Sequence, residues 1–272
     1  MSLSRIRFNF VAYQSLNELR EINSFVSSKL LNLSSGKRIN SVGDDPAGFS
    51  LARGLESRRV GLQQALSNVG NAQNILSIAE GGYQAVGDLL VEIKEKAIQA
   101  ADDSYTSTQR TAIQNQIDAL VEEIDDIVEE TTYQDTALID GSFASKLFQT
   151  GASAGDTFSV TLLSADSAAL SVNSLSVSDA AAASTAISTI DAAITNLNTR
   201  TQDAGEYTIR LEAKESMLTV VATNTEAARS RIEDADFAKE QLELIQAQII
   251  QQTAYAAYGQ ANLAPQLVLT LF

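Results

Sequence analysis

Three short matches to catalytic motifs lie within the stretch LLNLSSGKRINSVGDDPAGFSLA, residues 30–52. Ser34 and Lys37 have the S-x-x-K spacing of enzymes that form acyl-serine intermediates, but the Ser-Asp-Asn and Lys-Thr-Gly elements that accompany it are missing. The run GFSLA around Ser50 imitates a nucleophile elbow, yet it stands at a helix start rather than between a strand and a helix. Gly36 and Lys37 would fit a phosphate loop only if Ser or Thr followed, and the next residue is Arg.

The composition removes the partners that such motifs need. The chain of 272 residues contains no His and no Cys, so Ser50 has no conventional base and the usual zinc and copper ligands are missing. The acidic run EEIDDIVEE, 122–130, could be proposed as a calcium cluster, but Ile124, Ile127 and Val128 favour carboxylates on the solvated face of a helix. We therefore predict no catalytic, cofactor-binding or metal-binding residue, no cofactor and no enzyme activity.

A long amphipathic helix is the strongest structural signal in the sequence. From Leu62 onward, apolar residues recur at alternating steps of three and four, which is the heptad pattern of a helix packed along another helix. A helix from about Pro46 to about Ala101 would be roughly 80 Å long, whereas a compact chain of this length would be only about 50 Å across. The sequence therefore predicts an elongated rod. The predicted seam consists of Leu62, Ala65, Val69, Ala72, Leu76, Ala79, Tyr83, Val86, Leu90, Ile93 and Ala97.

Two further helices and one β region complete the predicted rod. A second helix is expected from near Thr106, antiparallel to the first, and a third long helix from about Asp179. Between Thr136 and Val177 the segments SKLFQTG and DTFSVTLL, with glycines at positions typical of turns, predict a small β region. The expected fold class is mainly α: an antiparallel coiled-coil-like helical rod with a small β region at mid-chain.

The two ends of the chain, roughly 3–34 and 232–270, are predicted to be helices with uncovered apolar stripes. They are expected to pair with each other, and their stripes to be covered only by other subunits. Residues 244–272 carry no charge, but six glutamines make membrane insertion costly, and a net charge of −15 disfavours nucleic acid as a partner. The predicted subunit contacts are Leu16, Leu19, Val26, Leu30, Leu33, Leu242, Ile245, Ile249 and Leu267.

The helical pattern is interrupted before Pro46, and this interruption is predicted to be a joint. Asp45 or Asp44 is expected to cap the long helix, with Pro46 in its first turn, where no amide hydrogen is required. Gly36 and Gly43 are expected to give the joint its conformational freedom. A β-branched residue at Gly43 would be strained if this glycine adopts a positive φ.

Two separated sets of motifs resemble bacterial flagellin, the subunit of the flagellar filament. The first comprises NLSSGKRINSVGDDPAG, NAQNILSIAEGGYQAVGDLLVEIKEKAIQA and IDALVEEID, and the second comprises SRIEDADFAKE and QANLAPQLVLTLF. The resemblance implies a hairpin-shaped subunit whose terminal helices are coaxial in a filament core, with the middle of the chain outermost. It divides the chain into an inner-tube helix 1–35, a joint 36–45, rod helices 46–135, a small β or outer segment 136–178, a rod helix 179–230 and an inner-tube helix 231–272.

The resemblance also implies a location and partners. The protein is expected in the extracellular flagellum, where it serves motility, after export without a cleaved Sec signal peptide. Its expected partners are other copies of itself in a helical homopolymer, the flagellar export apparatus, an export chaperone, and the cap and hook-junction proteins. The alternative is a hook-filament junction protein, which shares the terminal helices but forms one short ring.

Departures from the family pattern carry expectations of their own. An Arg commonly precedes Leu-Ser-Ser-Gly in the family, whereas this chain has Asn32. Many flagellins are detected by a Toll-like innate immune receptor, and the resemblance places Glu92 at a receptor-facing Arg, Lys96 at a central Leu and Gln116 at a Glu of the partner helix. We therefore expect normal assembly but poor activation of the receptor.

Overall fold

The computed structural model describes residues 9–269, with side chains as far as residue 263. Over this range the chain is mainly α with a small β region at mid-chain, which confirms the predicted fold class. Residues 58–223 form one compact unit, and the described residues on either side of that range form a second. The helices are α1 (Phe10–Ser35), α2 (Pro46–Ala100), α3 (Ser107–Glu130), α4 (Ala180–Glu233) and α5 (Phe237–Leu269); the strands are β1 (Thr132–Tyr133), β2 (Thr136–Ala137), β3 (Lys146–Gln149) and β4 (Thr157–Val160).

The heptad seam of α2 lies at the centre of the larger unit's core. All the predicted seam residues are buried, and none is more than 3% exposed. They share one continuous core with apolar residues of α3, α4 and the segment between them. Burial of apolar surface is the main favourable term in folding, so this core is what stabilises the unit. The residues contributed by α3 include Ile113, Ile117, Ile124 and Val128, and those of α4 include Ala183, Ala186, Ile190, Ala193, Leu197, Ala204, Leu211 and Leu218.

The start of α2 is fixed by a side-chain cap. Asp45 Oδ1 accepts a hydrogen bond from the backbone N–H of Gly48 at 2.9 Å, so Asp45 rather than Asp44 caps the helix. Pro46 is the first residue of α2, where its missing N–H leaves no helical hydrogen bond unmade. The capping residues at the starts of the other helices are Asn9, Thr106, Asp179 and Asp236.

Two antiparallel hairpins lie between α3 and α4 in sequence. β1 pairs with β2, and β3 pairs with β4 with Phe148 opposite Phe158. The β region begins at Thr132, slightly before the predicted start at Thr136. Phe158 is 3% exposed, and its ring meets the ring of Tyr207 of α4 edge-on, with centroids 6.0 Å apart. The second hairpin is therefore part of the helical core rather than a separate domain.

The chain after β4 is held against α2 by Tyr83. This residue is 1% exposed, and its hydroxyl donates a hydrogen bond to the Leu163 carbonyl at 2.6 Å. Burial raises the pKa of Tyr83 to about 12. A Cβ on the neighbouring Gly82 would lie 2.8 Å from side-chain atoms of Ile139 and Thr131, so the close packing at this point requires glycine.

The acidic run of α3 faces outward, as predicted. Ile124 and Val128 are buried while most of the surrounding carboxylates are exposed. Asp125 differs, because it accepts hydrogen bonds from the backbone N–H and the hydroxyl of Ser167, both at 2.7 Å. Among residues 9–269 no group of three or more potential ligands is placed to hold a metal ion. Within the same part of the chain, no helix combines the length and apolar character needed to span a bilayer.

Candidate assembly surface on the terminal helices

α1 and α5 pack against each other in opposite directions. Asn9 Nδ2 donates to the Ala261 carbonyl at 2.8 Å, and Gln251 Nε2 donates to Asn23 Oδ1 at 2.5 Å. Glu240, at the beginning of α5, contacts the end of α1. Because residue numbers rise along α1 as those of its partners fall along α5, the pair is antiparallel. The expectation that the terminal helices pair with each other is therefore confirmed.

The buried seam between these two helices is narrow. Leu19 and Val26, which are 7% and 8% exposed, are buried within a single chain. This corrects the expectation that only other subunits cover these two residues. They are buried because the terminal helices of one chain pack against each other. The small core of the pair consists of Val26, Leu244 and Ala247, with Ile22 and Leu33 packed against it.

Four of the other predicted contact residues are exposed rather than buried in this seam. Leu242, Ile245 and Ile249 are 60%, 47% and 59% exposed, and their spacing of three and four places them on one face of α5. On α1, Leu30 is half exposed, whereas Leu16 and Leu33 are partly buried. Leu267 lies on α5 beyond residue 263, outside the described side chains.

The open faces of both helices are rich in large apolar side chains. Each of these side chains is at least 47% exposed. Exposed large apolar side chains in such number mark an interaction site, whereas isolated exposed apolar residues are normal. The residues are Phe10, Val11, Tyr13, Phe25, Leu30 and Leu31 on α1, and Phe237, Leu242, Ile245, Ile249, Ile250, Tyr255 and Leu263 on α5.

A buried carboxylate stands at the end of the seam. Glu240 is 6% exposed and lies 3.0 Å from Lys29 Nζ and 3.3 Å from Asn32 Nδ2. Burial opposes the charge of Lys29, but its contacts with Glu243 and Glu240 outweigh that effect and raise the pKa of Lys29. Asn32 Oδ1 accepts a hydrogen bond from Asn40 at 2.8 Å. At the position where the family commonly has Arg, this chain thus has a neutral amide, and Lys29 supplies the cation.

The glycines of the joint differ in what they require. Gly36 adopts a φ of 72° and ends α1 as a left-handed cap. Gly43 does not have a positive φ, and a Cβ there would be 3.5 Å from its nearest neighbour. The condition under which strain was expected at Gly43 is therefore not met. Glycine is needed instead at Gly48, where a Cβ would collide with Asp45 and would lie 2.7 Å from Ile39.

Asp44 stabilises the turn within the joint. Its Oδ2 accepts hydrogen bonds from the backbone N–H groups of Asn40 at 2.9 Å and Ser41 at 2.7 Å. These backbone hydrogen bonds, first that from Ser41, lower the pKa of Asp44. Ile39 beside them is 2% exposed. The joint is thus a defined turn with a buried apolar anchor.

The joint is fastened to the end of α4 by Glu233. The Glu233 carbonyl accepts a hydrogen bond from the Arg38 backbone N–H at 2.7 Å. Its carboxylate binds Lys37 at 2.6 Å and Arg229 at 2.5 Å. Burial opposes ionisation of Glu233, but the hydrogen bonds from Lys37 and Arg229 prevail and lower the pKa of Glu233.

Sequence reasoning placed a boundary at 230/231 but did not predict the non-helical break, residues 234–236, between α4 and α5. Asp234 forms a bridge with Lys37, and the Ala235 N–H donates to the Gly36 carbonyl at 2.9 Å. The signal for this break was available in the motif EDADFAKE, because Asp236 is a good N-cap and accepts hydrogen bonds from the start of α5. Joint 36–45 and break 234–236 therefore lie side by side.

The three positions predicted to correspond to the innate-receptor contact lie in the larger unit. Glu92 and Lys96 are one helical turn apart on α2, Glu92 exposed and Lys96 partly buried. Gln116 is exposed on α3. In the single chain, α2 and α3 therefore leave Glu92 and Gln116 exposed and Lys96 partly exposed.

Fold and surface together define a mainly α protein with an antiparallel pair of terminal helices. Residues 6–144 match the sequence profile of the bacterial flagellin N-terminal helical region, and residues 187–272 match that of the C-terminal helical region. The chain is 32% identical to flagellin FlaB1 of Treponema pallidum (strain Nichols) and 33% identical to flagellin of Bacillus subtilis (strain 168); each alignment covers 98% of this chain and 99% of the relative. The chain belongs to the bacterial flagellin family.

Solved structures share the fold. The crystal structure of Bacillus cereus flagellin matches with a TM-score of 0.51 and 24% identity, covering 60% of this chain and 94% of that chain. A putative flagellar hook-associated protein from Vibrio parahaemolyticus matches with a TM-score of 0.59 and 15% identity, covering 70% and 100%. At these identities the likeness shows the fold alone. The names of the relatives that align over nearly the whole chain favour flagellin over the hook-associated alternative.

Proposed function

We propose that the protein is the structural subunit of a bacterial flagellar filament and polymerises into a helical homopolymer outside the cell for motility. A relative that is 33% identical over 98% of this chain is named flagellar filament 33 kDa core protein, from Treponema phagedenis. The observation that carries the proposal is the apolar surface that α1 and α5 leave open after pairing with each other. Covering such surface with another copy stabilises by about 25 cal/mol per Å².

The two open faces consist of different residues, as a head-to-tail polymer requires. α1 exposes Phe25, Leu30 and Leu31, whereas α5 exposes a different set that includes Leu242 and Ile245. When one copy's α1 face meets the next copy's α5 face without the reciprocal contact, the contact is heterologous. The first copy then keeps a free α5 face and the second a free α1 face. Such contacts continue from copy to copy into a helix unless a ring closes.

Export follows from the proposed location. We infer that the chain leaves the cell through the flagellar export apparatus, accompanied by an export chaperone, and meets the cap and hook-junction proteins at the filament ends. The chain has no Cys, so no disulfide obstructs passage in an unfolded state. The narrow seam of the terminal pair supports the same route, because little buried apolar surface becomes exposed to water when the two helices separate.

A pair of matched substitutions tests the proposal. Ile245→Asp places a charge on the open face of α5, where a neighbour would have to desolvate it, and is expected to reduce sedimentable polymer by about tenfold or more. Leu147→Asp makes the same kind of change at a residue of β3 that is 67% exposed, and polymer yield should match the parent chain. Sedimentation with negative-stain microscopy measures both, and circular dichroism checks the fold. Full polymerisation of Ile245→Asp would contradict the assignment of this face.

A further inference from the structure

The segment between β4 and α4 has no helix or strand of its own, and α3 fastens it at two places. The Asp125 carboxylate accepts two hydrogen bonds from Ser167. Nearer the start of α3, Gln114 Nε2 donates to the Leu175 carbonyl at 2.9 Å, and Gln114 Oε1 accepts from the Val177 N–H at 2.8 Å. Between these two attachments the segment relies on hydrogen bonds within its own turn.

Asn173 and Ser174 lie between the two attachments, in an exposed turn. The Asn173 N–H donates to the Ser167 carbonyl at 3.3 Å. Among residues 9–269, no hydrogen bond involves the Asn173 side chain or the Ser174 N–H. Both groups face water, and an irregular exposed backbone moves more readily than a helix. The Ser174 backbone nitrogen is therefore free to approach the side chain that precedes it.

We propose that Asn173 is a site of spontaneous deamidation. The Ser174 backbone nitrogen gives its proton to hydroxide and attacks Asn173 Cγ, so that the N–Cγ bond forms and the bond from Cγ to Nδ2 breaks. The nitrogen released takes a proton from water and leaves as ammonia. Water then opens the cyclic imide at one of its two carbonyls, which gives aspartate or isoaspartate. The net reaction consumes one water and releases one ammonia, and it needs no enzyme.

The other asparagines of the larger unit all lie inside helices. There the N–H of the following residue donates to a carbonyl of the preceding turn. Attack on the asparagine side chain would first require this hydrogen bond to break and the helix to unwind locally, which is unfavourable in a helix interior. Asn173 is the exception within residues 58–223. The helical asparagines are Asn68, Asn71, Asn74, Asn115, Asn196 and Asn198.

The products would alter how the segment packs. Val172 and Val177, on either side of the site, are 1% and 0% exposed and belong to the core of the larger unit. Isoaspartate adds a methylene group to the backbone between them, and closely packed cores tolerate such shifts poorly. Either product also adds a negative charge to a chain whose net charge is already −15. This inference goes beyond the filament role, because the reaction occurs within one chain whether or not that chain polymerises.

Two variants of the full chain test the mechanism. Ser174→Val places a β-branched side chain beside the attacking nitrogen at an exposed position. Thr199→Ser gives exposed Asn198 the same following residue as Asn173, but inside α4. The soluble chains are incubated at mildly alkaline pH, either folded or in concentrated guanidinium. Peptide mapping by mass spectrometry measures conversion at each asparagine, enzymatic methylation identifies isoaspartate, and circular dichroism checks the fold.

In the folded parent, Asn173 should convert about tenfold or more faster than any other asparagine of the larger unit. In Thr199→Ser, Asn198 should match Asn173 within about threefold in guanidinium but should be about tenfold or more slower in the folded chain. Ser174→Val should slow conversion of Asn173 by about tenfold.

Two results would overturn the proposal. One is a folded Thr199→Ser chain in which Asn198 converts as fast as Asn173, because the turn would then give no advantage over the helix. The other is an unchanged rate at Asn173 in Ser174→Val, since the attacking group would then not be the Ser174 nitrogen. Failure of the parent chain to polymerise would count against the filament role alone, because conversion is read in the soluble chain.

Discussion

The larger unit and the terminal helix pair use the same kind of amphipathic helix in opposite ways. In the larger unit the apolar seam of α2 is at most 3% exposed, and α3 and α4 cover it within the chain. In the terminal pair only a few apolar residues are buried, and large apolar side chains such as Ile249 and Leu242 are more than half exposed. The first arrangement is complete in one copy, whereas the second leaves surface for another copy to cover. An apolar stripe therefore identifies a packing face but does not say which molecule packs on it.

Removal of residues 235–272 should give the largest effect on this contrast. The truncated chain loses α5, and with it both the partner of α1 and one open face, so long filaments should not form. The larger unit should keep its helical signal and cooperative unfolding, because its core contains no residue of α5. Circular dichroism melting and negative-stain microscopy measure the two properties. Long filaments from the truncated chain would contradict the contrast.

Replacing one buried leucine by alanine in each unit should lower the free energy of unfolding by unequal amounts. Leu90 is 0% exposed, so Leu90→Ala should lower the free energy of unfolding of the larger unit by about 2–5 kcal/mol. Leu244 lies in the small core of the terminal pair and is 9% exposed, so Leu244→Ala should leave the main transition unchanged within about 0.5 kcal/mol. Guanidinium denaturation followed at 222 nm, the standard helix wavelength, distinguishes them. Equal losses would mean that the two cores unfold as one.

Two glycine substitutions sharpen the description of the joint. Gly36→Val forces a β-branched residue into a left-handed conformation and should destabilise the end of α1 by about 1–2 kcal/mol. Gly43→Val has no such constraint and should be neutral within about 0.5 kcal/mol. Thermal unfolding and filament waveform in micrographs provide the measurements. If Gly43→Val were as defective as Gly36→Val, the packing of the turn, rather than a positive φ, would determine which substitutions the joint tolerates.

Acidification should loosen the fastening of the joint. The folded-state pKa of Glu233 lies below its ordinary value of 4.5, so its contribution to stability is present above that pH and is lost as pH falls through the folded value. The contribution should be about 0.5–1 kcal/mol, as for a partly exposed ion pair. Glu233→Gln should remove it, making the difference in melting temperature between the parent and this variant shrink below pH 4.5. Glu92→Gln, at an exposed position, serves as the control and should show no such change.

Substitution at the receptor-matching positions should leave folding and assembly unaffected. Glu92→Arg combined with Lys96→Leu restores the pattern of activating family members on the surface of α2. We expect unchanged filaments and a gain of about tenfold or more in potency with depolymerised protein in a reporter-cell assay, the effect expected of a restored hot spot. The expectation would be contradicted if the parent chain were already as potent as a flagellin that has Arg and Leu at the positions of Glu92 and Lys96.

The core of the larger unit could be predicted from sequence because its heptads alternate cleanly with polar residues. On α5 the sequence predicted Leu242, Ile245 and Ile249 as contacts with other subunits, and the structure leaves these residues exposed while Leu244 is turned inward. Which joint glycine has a positive φ could not be predicted, since glycine permits that conformation without requiring it, and the structure has it at Gly36. A boundary at 230/231 was predicted, but the non-helical residues 234–236 were not, because three residues do not disturb the periodicity of the flanking helices.

The ionisation of Tyr83 can be followed by absorbance, and it reports on the segment around Leu163 that Tyr83 holds against α2. The chain has seven Tyr and no Trp, so its near-ultraviolet absorbance comes mainly from phenol groups. Burial holds the Tyr83 phenol neutral up to a pKa of about 12 in the folded chain, whereas an unfolded tyrosine ionises near pH 10. The stabilisation from this neutral phenol is complete below about pH 10 and is lost as pH rises through about 12. A stopped-flow alkaline jump would therefore record, as a slow phenolate absorbance step, the rate at which the segment lifts from α2.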